Sequence, residues 1–230
     1  MTAREESLQC WAMAFKAVIF DLDGTLLDTI EDLTDSMNAA LAEMGLPGRT
    51  LDECKQLVGD GLETFVRRAL PGSARQNPAM TARLKELMRA EYRIRQTRKT
   101  RPYPGIPETL EALSQKGIPL AVLSNKPHDA TLAVMDRYFS RWKFGAVFGA
   151  RDGIPVKPHP QAAIEICRLF RLEPDEFAYI GDTNTDMQTA SAAGMYPIGA
   201  LWGFRTAAEL LANGARLLLE KPEDVIRLFE

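Results

Sequence analysis

The sequence predicts an α/β fold, a doubly wound parallel sheet core interrupted by one inserted all-helical domain. Three observations lead there. Short apolar runs alternate with longer stretches of helical periodicity, the pattern of parallel strands covered on both faces by helices. The interval 28–100 breaks that rhythm, with helical spacing and no convincing strand. At 230 residues the chain is long enough to bury a large core and to carry a smaller appendage.

Residues 1–14 read as an N-terminal extension; Glu5 and Glu6 argue against a secretion signal, and Met13 is an alternative start. Phe15, Ala17, Val18, Ile19 and Phe20 form the apolar run of the first strand, at 16–20. Ile30, Leu33, Met37, Leu41 and Met44 then recur at three- and four-residue steps. Asp28 and Glu31 resemble a capping box at the head of that helix, and Gly45 stops it. Helices at 51–58, 61–70 and 78–98 complete the insertion, which spans 28–100 and reads as a lid. The Pro-rich Arg101-Pro102-Tyr103-Pro104-Gly105 returns the chain to the core, which comprises 15–27 and 101–230. There, strands at 119–123, 146–149, 176–181 and 196–200, with a weak one at 216–219, alternate with helices at 105–116, 127–138, 158–170, 183–193, 206–212 and 222–229.

Bulk properties exclude several classes of function. A formal net charge of −3 gives no general attraction to nucleic acid or to an acidic membrane. The most basic stretch, Arg93, Arg95, Arg98, Lys99 and Arg101, lacks interleaved aromatics beyond Tyr92 and reads as a solvated helix face. No apolar run approaches the ~18 residues that span a bilayer. Cys10, Cys54 and Cys167 are widely spaced, as expected of free thiols in a reducing cytoplasm, and His128 and His159 lack partners at zinc-ligand spacing.

The chemistry concentrates where apolar runs end. Asp21 and Asp23 close the first strand in the five-residue run Asp21-Leu22-Asp23-Gly24-Thr25. Successive strand side chains point to opposite faces, so the two acids share one site only if the chain turns there, and Gly24 permits that turn. Ser124-Asn125-Lys126 follows Leu120-Ala121-Val122-Leu123 and is expected to open a helix, where it is either a plain cap or a grip on phosphate oxygens. Lys126 is either part of that grip or a solvated first-turn lysine. Lys157 precedes Pro158, which suits the first turn of the next helix. Gly181-Asp182-Thr183-Asn184-Thr185-Asp186 ends a further strand, and Asp186 returns one helical turn after Asp182. Such sheets bind ligands at the carboxyl ends of their strands.

In this order the four motifs resemble those of the haloacid dehalogenase superfamily, over residues ~15 to 230. The resemblance implies a HAD-like core, a C1-type cap at 28–100 and magnesium-dependent phosphoryl chemistry. Asp21 is implied as a nucleophile that needs no base, and Asp23 as the group that gives and then takes a proton. Ser124, Asn125 and Lys157 would hold the phosphate, with Lys157 neutralising charge. The metal would sit on Asp21, Asp182 and the backbone carbonyl of Asp23, while Asp186 either binds it or orients a coordinated water.

The segment Val58-Gly59-Asp60-Gly61, followed by Phe65-Val66-Arg67-Arg68-Ala69-Leu70, resembles the cap loop of bacterial phosphoglycolate phosphatases, as does the late Leu201-Trp202-Gly203-Phe204-Arg205. It implies that Gly59, Asp60 and Gly61 face a small anionic phosphate ester, 2-phosphoglycolate leading. Sugar phosphates, amino-sugar phosphates, pyrophosphate and phosphomutase chemistry are the alternatives. Trp202-Gly203-Phe204 either borders the pocket or packs. A cytoplasmic monomer or homodimer without nucleic-acid or membrane partners is expected.

Overall fold

The computed structural model describes residues 15–230, so the extension at 1–14, Cys10 and the alternative start at Met13 lie outside the described residues. The central strand β1 (Ala17–Phe20) is fully buried. Its alternation sends Val18 and Phe20 into one hydrophobic cluster and Ala17 and Ile19 into another, one on each face of the sheet. Two short strands, β2 (Leu27–Asp28) and β3 (Arg101–Pro102), pair antiparallel where the chain leaves and re-enters the core.

Flanking β1 are β4 (Leu120–Pro127) and β6 (Phe177–Gly181); β5 (Phe144–Ala150) lies outside β4, and β7 (Tyr196–Ala200) then β8 (Leu217–Leu219) lie outside β6. Every neighbour in this six-stranded sheet is parallel.

The helices of the insertion are α1 (Ile30–Glu43), α2 (Leu51–Leu57), α3 (Leu62–Ala69) and α4 (Pro78–Arg95). Those of the core are α5 (Ile106–Gln115), α6 (His128–Phe139), α7 (Gln161–Phe170), α8 (Asn184–Ala193) and α9 (Ala207–Ala212). Ile106, Leu110 and Leu113 of α5 and Val134 and Phe139 of α6 cover one sheet face. Ala162, Ala163 and Ile166 of α7 and Ala190 and Ala193 of α8 cover the other, which makes the sheet doubly wound as expected. The insertion buries a cluster of its own: Ile30, Leu33, Met37 and Leu41 of α1 meet Phe65 and Val66 of α3 and Leu84, Met88 and Tyr92 of α4. Phe204, from the loop after β7, joins that cluster from the core.

Four local expectations are corrected. Ser124-Asn125-Lys126 lies in the tail of β4, and α6 opens only at His128. The reason is Pro127, which holds Lys126 in extended backbone. Pro158 does not sit in a first helical turn: His159 N–H bonds back to Val156 O, the Lys157–Pro158 peptide is cis, and α7 begins at Gln161. Asp28 belongs to β2 and meets Arg101 at 3.2 Å, so α1 starts from Thr29 without a side-chain cap. The final segment, Pro222–Phe229, is a 3₁₀ helix. The basic stretch around Arg93 is largely neutralised: Arg95 pairs with Glu91, Lys99 with Asp35 and Arg101 with Asp28.

Candidate active site

The chain leaves β1 in a tight loop in which the N–H groups of Thr25, Leu26 and Leu27 all bond to Leu22 O, and Gly24 N–H bonds to Leu27 O. Gly24 has φ of 90°, in the left-handed region open mainly to glycine. Space demands glycine too, because a Cβ there would lie 2.2 Å from Asp182 Oδ2. A Cβ at Gly203 would lie 2.2 Å from Asp182 Cβ, so Asp182 is held between two glycines. Thr25 Oγ1 donates to Asp182 Oδ1 at 2.9 Å, and Phe204 N–H donates to Oδ2 at 2.9 Å.

Three buried carboxylates, Asp21, Asp182 and Asp186, bring an oxygen each within 4.8 Å of one another. One ammonium faces them. Lys157 Nζ donates to Leu123 O at 2.9 Å and to Asp186 Oδ1 at 2.6 Å, and lies 2.8 Å from Asp21 Oδ1. This last contact is ionic and poorly directed; among the described residues Asp21 Oδ1 has no hydrogen-bond donor. Burial, then the charges of Asp186 and Asp182, push the Asp21 carboxyl well above its ordinary range against the pull of Lys157. Burial and Asp186 push Asp182 up to about 7, while Phe204 N–H and Thr25 work the other way. Burial lowers Lys157, but Asp186 and Asp21 outweigh it and hold the ammonium charged.

The cluster therefore fits a divalent cation. Three carboxylates against one ammonium leave two negative charges when all are ionised. The donors are hard oxygens, and Asp21 Oδ1, met by the Lys157 ammonium but by no directed hydrogen bond, is free to take a further cationic partner. Asp186 is differently placed: Oδ1 accepts from Lys157, and Oδ2 accepts from Thr183 N–H at 3.1 Å and Thr183 Oγ1 at 2.7 Å. The side chain of Asp23 stands outside the cluster and binds Lys126 Nζ through both oxygens, at 2.7 and 2.9 Å.

Above these groups lies a cavity of about 730 Å³ lined by Asp21, Asp23, Ser124 and Asn125 from the core and by Gly59, Gly61 and Tyr92 from the insertion. Ser124 is buried, its Oγ accepting the Lys126 N–H at 3.2 Å. The Asn125 side chain is taken up as a brace: Nδ2 donates to Gly59 O and Lys157 O, each at 3.0 Å, and Oδ1 accepts Lys157 N–H at 2.8 Å. Asp60 turns away from the cavity lining to accept from Thr185 Oγ1 at 2.7 Å and to pair with Arg68. Arg205, buried, donates to Lys55 O, Gln56 O and Val58 O at the end of α2.

The sequence names Thr25, Phe204 and Lys126 but leaves their roles open or unassigned. Thr25 stood inside the first motif and its hydroxyl was an available signal. Phe204 both packs and borders the cavity, and its N–H steadies Asp182. Lys126 is buried, with Tyr92 across from it, the ammonium 4.6 Å from the ring centroid. Burial works against its charge, yet Asp23 holds it protonated above its ordinary range. Burial likewise pushes the Tyr92 phenol up to about 12.

The chain is 31% identical over 219 residues to a phosphoglycolate phosphatase of Mannheimia succiniciproducens, covering 93% of this chain and 98% of the relative. It is 30% identical to a phosphoglycolate phosphatase of Aquifex aeolicus, with coverage of 94% and 97%. Among solved structures it resembles a candidate phosphoglycolate phosphatase of Lactobacillus delbrueckii subsp. bulgaricus, with a TM-score of 0.88, 33% identity and coverage of 94% and 98%. The sequence pattern of haloacid dehalogenase-like hydrolases matches residues 18–200, a stretch that runs from β1 to the end of β7 and contains the acidic cluster, Lys157 and the loop around Gly24. On that match, and on the relatives that span nearly its whole length, the chain belongs to the haloacid dehalogenase-like hydrolase family.

Proposed function

We propose that the protein is a magnesium-dependent phosphomonoester hydrolase that works through an aspartyl-phosphate on Asp21, with 2-phosphoglycolate as the leading substrate. The observation that carries this reading is the convergence of Asp21, Asp182 and Lys157 at the carboxyl ends of neighbouring strands, with Asp23 at the same strand end. The names of the relatives from Mannheimia succiniciproducens and Aquifex aeolicus support the substrate.

In the first step an oxygen of Asp21 attacks phosphorus and the bond to the ester oxygen breaks. Asp23 delivers a proton to that leaving oxygen. In the second step Asp23 takes a proton from water as the water attacks phosphorus, releasing phosphate and restoring the Asp21 carboxylate. Lys157 neutralises Asp21 and the transferring phosphoryl group throughout. Ser124 contributes to phosphate binding, and Asn125 acts chiefly through its hold on Lys157 and Gly59. When bound to Asp21, Asp182 and the Asp23 carbonyl, magnesium would supply the charge that offsets repulsion between carboxylate and phosphate. Asp186, its oxygens already engaged by Lys157 and Thr183, stands behind as a positioning group.

We read 28–100 as a cap domain whose loop at Gly59-Asp60-Gly61 closes the cavity, in a cytoplasmic monomer or homodimer. The cavity also has room for larger leaving groups than glycolate. The test is phosphate release from 2-phosphoglycolate, hexose phosphates, amino-sugar phosphates and pyrophosphate, each with and without magnesium. A magnesium-dependent preference for 2-phosphoglycolate is expected. Preference for a hexose phosphate would move the substrate, and release unaffected by chelator would overturn the mechanism.

A further inference from the structure

Lys126 is the one buried cation among the cavity-lining residues whose ionic partner is itself a group the chemistry needs. The other cations of the lining are engaged or outlying. Arg151 is doubly bound to Glu165, at 2.9 and 2.6 Å, and Arg89 and Arg93 are exposed on α4. Facing Lys126 across the cavity wall is Tyr92, 8% exposed, whose hydroxyl has no hydrogen-bond partner among the described residues. A buried hydroxyl beside a buried ammonium offers two donors to one anion.

The proposed reaction says which anion. In 2-phosphoglycolate the carboxylate is separated from the ester oxygen by one methylene, and the ester oxygen must face Asp23 to receive its proton. Once Asp23 has given up its proton, the carboxylate of the leaving group lies close to the Asp23 carboxylate, where it would be repelled unless a cation lay between them. Lys126 Nζ, bound to both oxygens of Asp23, is that cation. We propose that Lys126 and the Tyr92 hydroxyl together seat the carboxylate of the leaving group and so select 2-phosphoglycolate among small phosphate esters. This assignment rests on the phosphatase reading given above. It also links recognition to cap position, because Lys126 comes from β4 and Tyr92 from α4.

The test compares kcat/KM for 2-phosphoglycolate with that for ethyl phosphate, which has a similar chain and no carboxylate. The ratio cancels any effect of Lys126 on Asp23 that both esters share. Wild type should strongly favour 2-phosphoglycolate; Lys126→Met should lower the ratio about 100-fold and Tyr92→Phe about tenfold, mainly through KM. Equal losses on both esters, or an unchanged ratio, would overturn the seat while leaving the phosphatase intact. Turnover of neither ester by wild type, with other phosphomonoesters also inert, would remove the phosphatase reading and the seat with it. If Lys126→Met fails to fold, Tyr92→Phe, which deletes a single oxygen, decides.

Discussion

The two walls of the cavity are built differently. On the core side Asp182 and Lys157 are buried and each is fixed several times over: Asp182 by Thr25, by Phe204 N–H and by two glycines, Lys157 by Leu123 O and two carboxylates. On the insertion side the loop at 58–61 is fastened by groups the core lends it, namely Asn125, Arg205 and Thr185. The core wall is held by its strand ends, whereas the wall from the insertion is held by bonds from core groups. Substitutions on the first wall should therefore stop the chemistry, and substitutions on the second should shift substrate affinity and preference.

The largest effect expected is at the proposed nucleophile. Asp21→Asn keeps the shape and removes the attacking charge, so phosphate release should fall by about 10⁴-fold or more with a native circular-dichroism spectrum. Retained turnover would erase the distinction between the walls. Next comes Gly24→Ala, whose Cβ would meet Asp182 Oδ2 at 2.2 Å on a backbone with φ of 90°. Displacing that carboxylate should weaken magnesium binding about 10- to 100-fold, measured by activity against metal concentration.

A subtler effect follows from crowding. Asp182 sits at about 7 in the folded protein, above the ~3.9 of an unfolded aspartate, so the folded state holds an extra proton between those values. The contribution of this group to stability is then largest below about pH 4, declines as pH rises and is lost through pH 7; Asp21, also raised, acts in the same direction. Magnesium bound at the cluster as proposed would compete with those protons. Its addition should raise the melting temperature more at about pH 7.5 than at about pH 5. Equal shifts at both pH values would show that the cluster is not where the metal binds.

The smallest effect belongs to the wall from the insertion. Arg205→Ala removes donors to three carbonyls at the end of α2, and should raise KM several-fold with kcat little changed, at a cost of about 2 kcal/mol in stability. A kcat loss as large as that of Gly24→Ala would mean that both walls serve the chemistry equally.

The same contrast governs what the sequence reveals. Strands buried on both faces appear as continuous apolar runs, so β1, β4, β6 and β7 are legible, and with them the acids at their ends. The two-residue strands β2 and β3 are too short for any periodicity to show. The Lys126–Asp23 pair spans 103 positions, and Tyr92 sits in a polar, basic stretch, so neither has a local signature. Asn125 and Asp60 looked like ligand contacts because of their neighbours, and only the packing of loop 58–61 against the core shows them as braces. The ambiguity at Asp186 has the same origin, since its role turns on Lys157, 29 positions away.

The most direct test is to acid-quench the enzyme during its first turnovers of 2-phosphoglycolate and map the phosphoryl group by mass spectrometry. A magnesium-dependent phosphoryl group on the peptide containing Asp21, absent from Asp21→Asn, is expected. Rapid phosphate release with the label on another residue, matched by an equally fast Asp21→Asn variant, would contradict the assignment of Asp21 as nucleophile.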